Sequence, residues 1–291
     1  MWTSSSRPLL AALGLLCLLF GGTSVAQENG DRLDQVQEKG VLRVAVYRDF
    51  PPYSYHAGGH YEGIDVDLAK ALANRLKLGM NLMLITADES MGDDLRNAVW
   101  KGHYLGGGVA DVMMHVPVDP AFARENDRAA IFSPYLDEHM AVAFDRDQVG
   151  DNAQLLDLYD KRIGVELDTN AAYFLSSAYH GRLRASAERF LSITEALAKL
   201  KEGKVAAVLA SRPQLENGLG EALGKRFRIA DAPLQGLFQK QWSVGLAVKA
   251  GNPRLQAALN DAMAQLRADG TLAEILGHYH VSRTAMVQLE P

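Results

Sequence analysis

Histidines, carboxylates and one thiol are the side chains of this chain that could carry out chemistry, and their spacing argues against most of it. Eight histidines occur in 291 residues. His278 and His280 stand two apart on a stretch that reads as a helix, so their rings diverge. His103, His115 and His139 have no spacing that metal ligands use. Cys17 is the only cysteine and falls in the apolar N-terminal run, which leaves the remainder without a thiol, a disulfide or a cysteine metal ligand. Gly106-Gly107-Gly108 is followed by neither Lys-Ser/Thr nor a helix, so it is not a phosphate loop. No nucleophile-elbow sequence occurs. Glu166 and Asp168 remain as carboxylates able to do acid–base work. The expectation is a protein with no catalytic residue, no metal and no cofactor, hence one that binds rather than transforms.

The elements that must position any such site alternate between strand and helix. Strands are expected at Val41–Val46, Asn81–Ile85, Asp111–Val116, Ala141–Phe144, Arg162–Glu166, Val205–Leu209 and Val244–Val248. Helices are expected over about 93–101, 171–179 and 194–201. Asn252-Pro253 reads as an N-cap and first-position proline, with Leu255, Leu259, Ala262 and Leu266 as the stripe. Thr271-x-x-Glu274 reads as a capping box. This alternation predicts an α/β protein. The length suits two modest lobes, and a net charge of -5 with scattered Lys and Arg argues against nucleic acid or an anionic membrane as partner.

At the front, Arg7 precedes an apolar run from Leu9 to Phe20, and Ser24-Val25-Ala26 offers small residues for cleavage. That is the layout of a secretory signal peptide over residues 1–26, too short for a comfortable membrane span. The expected location is the periplasm.

The stretch Gly63-Ile64-Asp65-Val66-Asp67-Leu68 opens a helix in which Leu68, Leu72 and Leu76 form an apolar stripe. Asp65 is expected as its N-cap and Asp67 in its first turn, where the helix dipole favours negative charge. This order (glycine, bulky apolar, acid, apolar, acid, apolar) closely resembles the signature of the family 3 extracellular solute-binding proteins. The resemblance implies a two-lobed type 2 periplasmic binding protein fold with a hinge of two crossing strands. Lobe 1 is expected over residues 35–143 and 245–283, and lobe 2 over residues 144–244. Ligand would sit in the cleft between them.

The same resemblance locates cleft positions. Tyr47, Phe50, Tyr53 and Tyr55 fall in the loop that lines the ligand in relatives, with His115 and Pro117 ending the strand opposite and Trp242 at the return hinge. Members that bind α-amino acids use a lobe-two carboxylate for the ammonium, and that position here is Ser211. Their carboxylate-binding arginine aligns with Asn126, flanked by Arg124 and Arg128, either of which could substitute. Their helix-capping Gly-Thr is Asp168-Thr169 here, and Asp168 would repel an anion from that helix terminus. An arginine–carboxylate pair and a desolvated ammonium partner are together worth several kcal/mol, by rough estimate. An ordinary amino acid is therefore not the expected ligand. The expected ligand-binding set is Tyr47, Phe50, Tyr53, His115, Pro117, Arg124, Arg128, Thr169 and Ser211, suited to a neutral or aromatic solute.

Three readings follow, in descending order. The first is a monomeric receptor handing a small solute to an ABC-transporter permease. The second comes from Asp111–Asp119, which resembles the solute-binding-like components accompanying periplasmic quinoprotein alcohol dehydrogenases, and implies an interaction protein of such a dehydrogenase. The third is an enzyme on the same fold, as in periplasmic cyclohexadienyl dehydratases. One expectation is testable without any ligand. N-terminal sequencing of periplasmic protein should begin at Gln27, and recovery of Met1 would overturn the signal-peptide reading.

Overall fold

The computed structural model describes residues 30–231, 241–282 and 285–287. The expected signal peptide lies outside the described residues, as does Arg283, the expected end of lobe 1.

Eleven strands are formed among the described residues: β1 (Val41–Tyr47), β2 (Tyr55–Ala57), β3 (His60–Glu62), β4 (Gly79–Ile85), β5 (Val112–Pro117), β6 (Ala129–Asp145), β7 (Ile163–Glu166), β8 (Ala187–Phe190), β9 (Ala207–Ser211), β10 (Phe227–Asp231) and β11 (Gln241–Lys249). The sheet order is β4-β1-β5-β11-β6-β9-β7-β8, with β10 also on β6, and β2-β3 a separate hairpin. β1 lies parallel to β4 and β5, and β7 parallel to β8 and β9. β6 and β11 are antiparallel to their neighbours. The architecture is a mixed α/β, two-lobed binding-protein fold, as the family resemblance implied.

β6 holds the two halves together. Ala129 to His139 pair with β11, whereas Met140 to Phe144 pair with β9 and Ala141 to Asp145 with β10. One strand therefore belongs to both sheets. Only its apolar end, Ala141–Phe144, reads as strand in the sequence. Pro134 and the charged Asp137-Glu138-His139 disguise the rest, because proline and acid are poor strand formers. Buried side chains divide accordingly. Two sets draw on residues 33–136 and 244–285, and the other two on residues 140–230. Trp242 packs against both halves.

Several local expectations change at helix ends. The helix expected over 93–101 starts earlier, at Met91, because the Ser90 side chain accepts from the Asp93 amide, and it widens to π geometry over Arg96–Trp100. Asn252 occupies the N-cap position of helix Pro253–Ala268 but makes no cap bond; its Oδ1 accepts from the Arg32 amide. The Asp31 carboxylate instead accepts from the Arg254 and Leu255 amides. The Thr271–Glu274 box does not form either. Gly270 is the cap residue, and Asp269 accepts from both the amide and the hydroxyl of Thr271. In the last two cases a carboxylate outside the motif meets the orphan donors first.

Asp65 is the largest departure. Helix Ile64–Arg75 has Gly63 as its cap residue, and Asp65 lies in the first turn with its side chain 1% exposed, turned into the core. The Tyr279 hydroxyl accepts from the Gly63 amide at 2.9 Å and donates to Asp67 at 2.8 Å. Gly63 has φ +132°, and a Cβ there would collide with the Tyr53 carbonyl. Gly63→Ala should therefore cost about 2–4 kcal/mol, combining backbone strain and overpacking. Chemical denaturation checks this, and an unchanged midpoint would show that the Tyr53 turn yields freely.

Candidate functional site

A cleft of about 620 Å³ opens where the strand ends of the two halves face each other across β6 and β11. Its walls differ in chemistry. On the first half, Tyr47 ends β1 and Phe50 follows in the loop. The rings meet edge to face at 5.8 Å, and Phe50 also meets the His115 ring at 5.0 Å. The Tyr47 hydroxyl donates to Asp94 at 2.7 Å, which fixes the ring's tilt. Burial, reinforced by Asp94, pushes the Tyr47 phenol well above its ordinary range.

Beneath that wall lies a buried polar network that spans the two halves. His115 sits on β5 with φ +61° and is 6% exposed. Its Nδ1 lies 3.2 Å from Asp65 Oδ2, within ion-pairing distance but not aligned as a hydrogen bond. The Tyr135 hydroxyl donates to Asp65 Oδ1 at 2.6 Å and accepts from the His115 amide at 3.0 Å. Next to them the Tyr53 hydroxyl donates to Glu138 Oε1 and stands 3.2 Å from Ser211 Oγ. Glu138 comes from β6 and Ser211 ends β9, so this group joins the lobes.

The electrostatics of the network follow from burial and charge. Burial opposes protonation of His115, but Asp65 and then Glu138 outweigh it, and the imidazole is held above its ordinary value of 6.5. Burial raises the Glu138 carboxyl, partly offset by His115 and by hydrogen bonds from Tyr53 and Ser211.

The opposite wall is the start of helix Asn170–Ser177. Thr169 is its N-cap, accepting from the Ala172 amide at 3.3 Å and donating to the Glu166 carbonyl at 2.7 Å. Asp168 precedes it with φ +59° and also lines the cleft. Burial raises the Glu166 carboxyl.

Tyr47, Phe50, His115, Pro117, Thr169 and Ser211 all line this cleft. Tyr53 does not; it is wholly buried behind Phe50, with ring centroids 4.6 Å apart, and reaches the site through its hydroxyl. Arg124 and Arg128 do not reach it either. Asp119 caps helix Pro120–Glu125, accepting from the Phe122 amide at 2.8 Å, and that turn leaves Arg124 exposed. The Arg128 guanidinium lies 4.8 Å over the Trp100 ring. Arg48 is the arginine that lines the cleft, from an exposed position. Glu138, Asp65 and Tyr135 escape a sequence reading. Glu138 sits in a run of polar residues that resembles a solvated strand, and Asp65 in a position that suits a cap. Only their partners, 70 or more residues away in sequence, reveal them.

With the geometry established, likeness to known proteins can be placed on it. Residues 42–98 match the model of the bacterial extracellular solute-binding proteins, family 3. The L-cystine-binding protein TcyJ of Escherichia coli strain K12 is 26% identical over 273 residues, covering 90% of this chain and 91% of that protein. Cyclohexadienyl dehydratase of Pseudomonas aeruginosa is 45% identical over 82 residues, which spans 28% of this chain and only 29% of that enzyme. Among solved structures, an ancestral cationic amino acid solute-binding protein superposes with a TM-score of 0.68 at 22% identity, covering 86% of this chain and 99% of that one. An amino acid ABC transporter substrate-binding protein from Streptococcus pneumoniae bound to L-arginine gives 0.60 at 17% identity, covering 89% and 100%. No helix among the described residues is long and apolar enough to cross a membrane.

The His115 environment makes a pH prediction. Its folded pKa lies above the ordinary 6.5, so the stability it contributes is complete below that value and is lost as pH rises through the raised one. As pH rises from about 6.5 through the raised value, the melting temperature of the wild type should fall more steeply than that of His115→Asn, a residue that tolerates positive φ. Parallel slopes would remove His115 as the source.

Proposed function

We propose that this chain, which carries the family 3 solute-binding signature in residues 42–98 on a two-lobed binding-protein fold, is a secreted periplasmic receptor. It captures one small solute between its lobes and delivers it to an ABC transporter. The observation that carries this reading is the cleft itself, walled by side chains of both lobes and floored by a strand that runs through both. A pocket so built closes by bending at β6 and β11, and closure around a solute is the conformational signal a transporter can read. The lobes divide as residues 35–143 with 245–283, and 144–244. TcyJ binds L-cystine and a Chlamydia trachomatis relative is a probable arginine-binding protein, which supports small-molecule capture as the common task.

The solute of this chain is a different one. Ser211 stands where amino-acid-binding relatives have the ammonium carboxylate, and Arg124 and Arg128 point away from the cleft. A free α-amino acid would bury its carboxylate beside Glu138 and Asp168, with no buried Lys or Arg among the described lining residues to receive it. The aromatic wall of Tyr47 and Phe50 instead favours a flat solute, stacked or edge-on, with Pro117 and Thr169 closing its sides. Tyr53 acts from behind as a support.

One observation favours a second reading. The 82-residue stretch that is 45% identical to a cyclohexadienyl dehydratase goes with two cleft carboxyls, Glu138 and Glu166, that burial holds toward the protonated form. A protonated carboxyl facing a cleft can act as a general acid. Incubation with prephenate or arogenate decides this, since release of a product with an aromatic ring would make the protein an enzyme.

Native mass spectrometry of protein taken from its own periplasm should show one bound small molecule per monomer, and calorimetry should give no submicromolar affinity for any common α-amino acid. Phe50→Ala should weaken the recovered solute about tenfold, from lost stacking and contact area. A variant that melts lower yet binds unchanged would make Phe50 a packing residue only.

A further inference from the structure

Glu138 is buried at a cost that its neighbours among the described residues only partly offset. It lies on the floor of the cleft at 2% exposure, on the strand both lobes share. Its hydrogen-bond partners are two neutral hydroxyls, those of Tyr53 and Ser211. Among the described residues no Lys or Arg pairs with it, although the chain forms such pairs for Asp111 and Asp145. The imidazole that approaches it, His115, is already turned to Asp65 at 3.2 Å. A carboxylate taken from water without a cation is expensive, and it survives where a partner arrives from outside.

The surroundings specify that partner. The other acids on the lining are Glu166 and Asp168 from the helix wall and Asp49 at the rim, against the exposed Arg48. An anionic solute would meet repulsion from both sides. A cation would meet carboxylates, and also the rings of Tyr47, Phe50 and Trp242, whose faces attract positive charge. Glu138 and Ser211 supply acceptors side by side at the floor, which suits a group with several N–H donors.

We propose that the cleft selects a solute carrying a primary ammonium on a flat apolar body, with the ammonium seated on Glu138 and Ser211 and the body against Tyr47 and Phe50. This rests on the solute-binding reading and narrows its substrate class to amines without a carboxylate. Glu138 is then the specificity residue, and Asp49 and Asp168 attract the cation at the entrance.

Three probes of one shape and different charge test it: benzylamine, benzyl alcohol and benzoate, titrated calorimetrically into the mature protein. Benzylamine should bind at least about tenfold more tightly than benzyl alcohol, as a charge-assisted hydrogen bond is worth, with benzoate weakest. E138Q, which keeps the shape, should abolish the amine preference over the alcohol. The wild-type ranking stands independently of whether that variant folds. Equal or tighter binding of the alcohol or the benzoate overturns the proposal, as does an amine preference that survives in folded E138Q, or failure of benzylamine to bind at millimolar concentration. The two levels separate in the mass spectrum. A recovered solute without a basic nitrogen defeats the amine assignment and leaves the receptor reading intact, whereas no recovered solute and no binding of any probe defeats both.

Discussion

The contact on which this structure depends is the buried hydroxyl–carboxylate network under the cleft. Asp65 brings a charge into the core at the start of helix Ile64–Arg75, and Tyr135 and His115 compensate it from β6 and β5. Tyr53 does the same for Glu138, and Ser211 joins that group from the second lobe. Each acid is held by groups distant in sequence. Helix, loop and both strands must therefore be in place together before any of these polar atoms is satisfied. A half-made network leaves a buried charge unpaired, which costs more than never burying it, so the network enforces one arrangement of the lobe junction.

That arrangement is what gives the cleft its shape. The ring of Tyr53 lies 4.2 Å from His115 and 4.6 Å from Phe50, so the hidden tyrosine sets the plane of the exposed wall. Gly63 lets the helix start close against the Tyr53 carbonyl, a spacing any side chain would prevent. A chain of close contacts thus runs from a glycine in a helix-opening motif, through a buried phenol, to the aromatic wall of the cleft. β6 adds the mechanical element. Its residues up to His139 pair with β11 and those from Met140 with β9, so one continuous strand links the two halves.

Charge is distributed with the same economy. Tyr47 and Phe50 line one wall and Glu166 and Asp168 the other, with Asp49 at the rim and Glu138 at the floor. Burial raises the Glu138 carboxyl while the neighbouring acids raise the imidazole of His115. Both effects favour bound protons at the lobe junction. Net acidity of the chain as a whole says nothing of this, since the effect comes from a few groups removed from water.

What the residues determine locally was legible from their order. The 3.6-residue stripes of Leu68 and Leu72 and of Leu255 and Leu259 report helices with one buried face, and apolar runs such as Asp111–Val116 report strands covered on both sides, because periodicity is a property of the chain itself. The signature around Gly63 carried the fold, and the alignment it permits brought Tyr47, Phe50, His115, Pro117, Thr169 and Ser211 to one cleft. The tertiary structure alone decided the rest. It turned Asp65 from a cap into a buried acid, made Asp31 and Asp269 the partners of helix ends that Asn252 and Thr271 were expected to serve, hid Tyr53 behind the wall, and sent Arg124 and Arg128 outward. It also placed Glu138 on the floor of the cleft. The reason is common to all of these. A carboxylate or hydroxyl finds its partner by proximity in space, and for a polar side chain that partner is set by the packing of segments that have no periodicity in common.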